Sequence, residues 1–144
     1  MRPNARFFVR GVPQAQGSLR AFVIKGHAVL TSTNKTLKPW RNVVAETALA
    51  EGWGGASIMD GPVSLTVRFD FVRPQSHYGK KGLKASAPPF PHQTGGDLDK
   101  LVRAIGDALT GICWRDDRRI VHCSAEKLWG DEPGALISIY PCYE

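Results

Sequence analysis

Hydrophobic and polar positions alternate most regularly over Pro62–Val72 (PVSLTVRFDFV), where Val63, Leu65, Val67, Phe69 and Phe71 interleave with Ser64, Thr66, Arg68 and Asp70. A period of two lines one face of a pleated strand with apolar side chains, so this segment predicts a half-buried strand. Ala5–Val12 (ARFFVRGV) predicts a shorter one, bounded by Gly11 and Pro13. The period then changes. Over Thr36–Glu51, positions Leu37, Trp40, Val43, Val44, Thr47, Ala48 and Glu51 recur at i, i+3, i+4, which predicts a helix. Pro39 sits in its first turn, where no N–H is needed, and Gly52, Gly54 and Gly55 stop it. A second helix is predicted over Leu98–Leu109, since Leu98, Leu101, Val102, Ile105, Ala108 and Leu109 fall on one arc at about 100° per residue. Arg119–Trp129 and Ala135–Tyr140 close the chain as two strands around a Gly130–Gly134 loop.

Two stretches carry no clear period. Gln14–Asn34 holds short apolar pieces and reads as a loop or an irregular hairpin. Arg73–Gly96 contains Pro74, Gly79, Gly82, Pro88, Pro89, Pro91, Gly95 and Gly96, and a loop of that length is functional or disordered. The predicted order is β-α-β-α-β-β: an α+β fold, a small mixed β-sheet flanked by two helices, in one domain spanning residues 1–144.

Composition narrows the class. The 15 glycines and 10 prolines show no triplet period, which excludes collagen-like order. No apolar run approaches the roughly 20 residues of a membrane span, and Arg2, Arg6 and Arg10 are followed by no apolar signal core. A cytoplasmic protein without membrane association is expected. Three cysteines, Cys113, Cys123 and Cys142, form no CxxC pair, so neither a disulfide framework nor a zinc knuckle is indicated.

Charge is unevenly distributed. Residues 1–96 carry 13 Lys and Arg against 4 Asp and Glu, whereas residues 97–144 carry 6 against 9. A basic surface that includes Lys80, Lys81 and Lys84 attracts phosphate backbones through counterion release, although it serves solubility equally well. The acidic part is the sharper signal. Asp97 and Asp99 open the second helix, Arg103 and Asp107 follow at i+4 steps from Asp99 beside Lys100, and Asp116-Asp117 precedes the next strand. Each acid has a structural role available: a helix cap, a dipole partner, an i, i+4 pair, a turn. If the strand packs beside the helix start, however, Asp97, Asp99 and Asp117 converge. Such a cluster of like charges persists best around a cation. Carboxylate oxygens suit Mg²⁺ or Mn²⁺, and few protein ligands leave room for water and a phosphate oxygen. That chemistry is phosphodiester hydrolysis, with Arg103 or Lys100 adding fixed positive charge.

Residues 96–121 (GDLDKLVRAIGDALTGICWRDDRRIV) resemble the RusA family of Holliday junction resolvases. The shared features are Asp97-x-Asp99 opening a helix, Arg103 four positions on, Asp107-Ala108-Leu109 near the helix end, and Asp116-Asp117 before a strand. Phe7–Gln16 and Ala125-Glu126-Lys127 resemble the family more weakly. The resemblance implies Asp97, Asp99 and Asp117 as metal-binding catalytic carboxylates with Mg²⁺ (or Mn²⁺) as cofactor and no organic cofactor. It also implies branched DNA as substrate, and a homodimer that nicks opposing strands of a four-way junction. Phage and prophage members are common in the family. The chain departs from the family where a lysine is usual and Arg103 stands, and where Lys100 replaces a frequent asparagine. Arginine keeps the charge but does not give up a proton. Lys80, Lys81, Lys84 and Lys100 are the candidate DNA-binding residues. The alternative is a catalytically idle module of the same fold that holds branched DNA. His77, His92 and His122 lack ligand spacing, and Trp40 and Trp114 are expected in the core.

Overall fold

Strand β4 (Val63–Phe71) sits inside a four-stranded sheet because its apolar positions are buried on one face and its backbone pairs on both edges. The computed structural model describes residues 2–17, 19–32 and 35–142. Around β4 the described elements are β1 (Arg6–Arg10), β2 (Leu19–Ile24), β3 (His27–Ser32), α1 (Leu37–Ala50), β5 (Tyr78–Gly79), β6 (Gly82–Leu83), α2 (Leu98–Leu109), β7 (Ile120–Trp129) and β8 (Gly134–Pro141). The sheet order is β1-β8-β4-β7. β8 is antiparallel to both β1 and β4, whereas β7 runs parallel to β4. A parallel pair needs a crossover, and the long connection from β4 through α2 supplies it.

Both helices pack on the same face of the sheet. Leu65, Val67 and Phe69 of β4, Ile137 and Ile139 of β8 and Val9 of β1 join Trp40 and Val44 of α1 and Leu101, Ile105 and Leu109 of α2 in one buried cluster. The opposite face carries Phe8, Leu136, Tyr140 and the Arg68–Asp70 pair, bidentate at 2.8 and 3.0 Å. Asp70 is the one buried charged residue among the described residues. The α+β expectation therefore holds, with the two helices sharing one layer rather than standing on either side.

The period-poor stretches are more ordered than their sequence suggests. β2 and β3 form a regular hairpin, in register from Leu19↔Ser32 to Ile24↔His27, turned by Lys25 and Gly26, which both have positive φ. Ser18, Thr33 and Asn34 of the Gln14–Asn34 stretch lie outside the described residues. Within Arg73–Gly96, Tyr78 pairs with Leu83 and Gly79 with Gly82, a short hairpin with no alternating pattern to announce it. Before α2, Gly95 and Gly96 both have positive φ, and a side chain at Gly95 would collide with the Phe71 ring. The tight entry into the helix thus requires glycine.

Candidate active site

Helix α2 divides its residues by period. Leu101, Ala104, Ile105, Ala108 and Leu109 are buried, which leaves Asp99, Arg103 and Asp107 exposed. Gly106 is buried yet adds no side chain, so the surface between α2 and β7 is not filled there. The result is a cavity of about 360 Å³ lined by Leu65, Asp99, Val102, Arg103, Gly106, Asp117, Ile120 and Cys123.

Strand direction decides which acids meet. The chain leaves α2 at Leu109, and a 3-10 turn at Asp117–Arg119 leads into β7, so β7 begins beside the end of the helix. Asp117 accepts a hydrogen bond from Thr110 Oγ1 at 2.7 Å, and its Oδ1 lies 3.7 Å from where a Cβ on Gly106 would be. Seven residues of helix, about 10 Å of rise, separate Gly106 from Asp99. The expected convergence of all three acids at the helix start is therefore not the observed arrangement. Asp99 and Asp117 stand on the walls of one cavity with Arg103 on the helix between them, and Asp97, at the cap position of α2, does not line it. Among the described residues no group of three His, Cys, Asp or Glu side chains could hold a metal ion.

Hydrogen bonding assigns the neighbouring acids. Asp116 is the cap of the 3-10 turn, accepting from the Arg118 backbone at 3.0 Å and its guanidinium at 3.3 Å, with Arg119 at 3.8 Å. Those bonds to Arg118 hold the Asp116 carboxyl below the usual carboxylate range. Asp107 pairs with Arg41 of α1 at 3.7 Å, not with Arg103. Asp97 occupies the cap position of α2, yet its side chain makes no capping hydrogen bond. Asp117 is oriented by a relay: Trp114 Nε1 donates to Thr110 Oγ1 at 3.2 Å, and the single hydroxyl hydrogen is divided between Gly106 O and Asp117.

Three contributors escaped the sequence reading. The β4–β7 register places Cys123, Ala125 and Lys127 on the helix side, opposite Leu65, Val67 and Phe69. Cys123 is exposed in the cavity wall rather than packed in the core, although partial desolvation raises its pKa. Lys127 donates to Gly96 O at 2.8 Å and lies 5.8 Å from the Phe71 ring centroid, so it ties the end of β7 to the entry of α2. Burial lowers its pKa and the Asp97 charge opposes that shift. A lysine at a core-facing position of a strand was the available signal. Thr110, the third, had none.

The remaining candidates fall apart from the cavity. Lys100 is half-buried, and its carbonyl accepts from Gln16 N at 3.0 Å. Lys80, Lys81 and Lys84 are exposed on and beside the β5–β6 hairpin. His77 stands edge-on to Trp129 at 5.3 Å, and Trp40 and Trp114 are core residues. Burial pushes the Cys113 thiol up to about 12, which suits an inert core residue.

A cavity walled by two carboxylates and an arginine thus lies beside a sheet with one helical layer. The family model described as "Endodeoxyribonuclease RusA" matches residues 11–140, and the chain belongs to that family. It is an endodeoxyribonuclease of the Holliday junction resolvase kind, which acts on branched DNA. The chain is also similar to the Bacillus subtilis (strain 168) protein named "Uncharacterized protein YqaN", 30% identical over 138 residues that cover 93% of this chain and 94% of that one. No described helix is long and apolar enough to cross a membrane.

Proposed function

We propose that the protein resolves four-way DNA junctions by paired symmetric nicks, cutting at the cavity between α2 and β7. The observation that carries this reading is the sharing of one cavity by Asp99, Asp117 and Arg103. Carboxylate oxygens fit a hard divalent cation, so Asp99 and Asp117 are the residues that would hold Mg²⁺ or Mn²⁺. When bound, the cation supplies easier ionisation of an attacking water and neutralisation of charge at the scissile phosphate.

The chain's own residues do the rest. Thr110 orients Asp117 through its 2.7 Å hydrogen bond. Arg103, always charged, clamps non-bridging phosphate oxygens and takes no part in proton transfer. Lys80, Lys81, Lys84 and Lys100 bind DNA backbone. A four-way junction has two-fold symmetry, so paired nicks call for two copies of the site, and a homodimer provides them. Phe8, Leu136 and Tyr140, on the sheet face that the helices leave bare, offer apolar surface for a second copy.

Incubating the protein with an immobile four-way junction and a matched linear duplex, with Mg²⁺ or with EDTA, tests the proposal. Paired nicks in the junction alone, dependent on the metal, are expected. Junction binding without cleavage in either Mg²⁺ or Mn²⁺ would establish the idle module instead.

A further inference from the structure

The segment from Phe71 to Gly96 contains no Asp or Glu, and it carries Arg73, Lys80, Lys81 and Lys84. It is built on a fixed base. Arg73 donates to Pro88 O at 2.9 Å and Trp129 Nε1 donates to the same carbonyl at 3.0 Å. The Arg73 guanidinium stacks 5.0 Å from the Trp129 ring, and Lys84 N bonds to His77 O at 2.9 Å. From this base the β5–β6 hairpin projects Tyr78 and Leu83, paired side by side and 46% and 53% exposed. Apolar side chains set opposite each other on a hairpin usually gain from a covered face. Here they are framed by lysines. Tyr78 also borders a concavity of about 190 Å³ whose other walls include Arg73, Trp129 and Asp131.

The location matters as much as the composition. Trp129 ends β7, Phe71 ends β4, and Gly96 leads directly into Asp97, so the hairpin is anchored at the sheet end where α2 begins. We propose that this hairpin is the device that recognises the branch point. Tyr78 and Leu83 cover a base left without a stacking neighbour there, and Lys80, Lys81 and Lys84 straddle the flanking phosphates. The argument rests on the junction-cleaving reading above. A linear duplex has every internal base stacked, so the apolar pair adds affinity only where stacking is interrupted, whereas lysines act on any phosphate.

The two halves of the device are separable. Affinities for an immobile junction and a linear duplex are measured in EDTA, over a salt series, for wild type, Tyr78→Ala/Leu83→Ala, Tyr78→Phe, and Lys80→Ala/Lys81→Ala/Lys84→Ala. The apolar double variant is expected to lose about tenfold in junction affinity and to leave duplex affinity unchanged, with Tyr78→Phe close to wild type. The lysine variant is expected to weaken both substrates alike and to flatten the salt slope by about 3. An unchanged junction-to-duplex ratio in the apolar variant, beside a clear wild-type preference, overturns the hairpin proposal alone. Equal wild-type affinity for the two substrates overturns the junction reading with it.

Discussion

The acids paired with arginines and those in the cavity differ in what already neutralises them. Asp70 is clamped by Arg68, Asp107 by Arg41, Asp116 by Arg118, and Asp60 pairs with Arg115. Two of these pairs, Asp107–Arg41 and Asp60–Arg115, join segments distant in the chain, and the other two are local to β4 and to the 3-10 turn. Asp99 and Asp117 face a cavity, and the hydrogen bond to Asp117 comes from a neutral hydroxyl rather than a cation. Asp116 and Asp117 are chain neighbours and still divide this way, because the 3-10 turn directs one carboxylate to its own backbone and the other toward α2. Identical residue types at adjacent positions are thus sent to different partners according to where the turn points them.

This contrast predicts opposite outcomes for conservative substitutions on its two sides. Replacing Asp99 or Asp117 by Asn should produce the largest effect, a loss of cleavage of at least about 1,000-fold, since several kcal/mol of charge stabilisation are removed at 1.36 kcal/mol per decade. Stability should change by less than about 0.5 kcal/mol in the same proteins, because neither carboxylate is clamped by a cation. Single-turnover cleavage and chemical denaturation check the two halves. A bulky maleimide on Cys123 should come next, blocking cleavage in proportion to labelling, with Cys123→Ser protected and the buried Cys113 unlabelled. Loss of activity that persists in Cys123→Ser would place the reactive thiol elsewhere.

Arg103 sharpens the cavity side. Arg103→Ala should slow cleavage by about 100-fold, whereas Arg103→Lys should remain within about tenfold, as expected of a phosphate clamp. A lysine variant as slow as the alanine variant would show that the bidentate fork is essential. On the other side, Asp70→Asn should cost about 1–2 kcal/mol of stability and spare cleavage. The figure sits below that of a fully buried pair because the Arg68 side chain is 37% exposed. The smallest effect belongs to Asp116. Its lowered pKa means that it stabilises the fold above the ordinary carboxylate range and ceases to do so as pH falls through its folded value. Asp116→Asn keeps a capping side chain, so the stability gap between it and wild type should close on acidification.

Much of this was legible in the sequence where period and packing coincide. The alternation in Val63–Phe71 and the arc of Leu98–Leu109 reappear as β4 and α2, the latter with the same bounds. The β5–β6 hairpin was hidden because two-residue strands are too short for a period. The regular pairing of β2 with β3 was obscured by short apolar runs on either side of the Lys25-Gly26 turn. At the site, the acidic spacing pointed to α2 and the turn before β7, but spacing along a chain carries no strand direction. β7 starts beside the end of α2, and that brings Asp117 beside Gly106. Lys127 was signalled by its place two residues on from Ala125 along the strand, and its pairing opposite Phe69 puts it on the helix side.

The central claim is that Asp99 and Asp117 together form the cation site at which DNA is cut. Titrating Mn²⁺ into wild type, Asp99→Asn, Asp117→Asn and Asp116→Asn, while following free Mn²⁺, tests it without relying on cleavage. Binding in wild type and Asp116→Asn, and its loss in both cavity variants, is the predicted result. Binding that persists undiminished in Asp99→Asn and Asp117→Asn would contradict it.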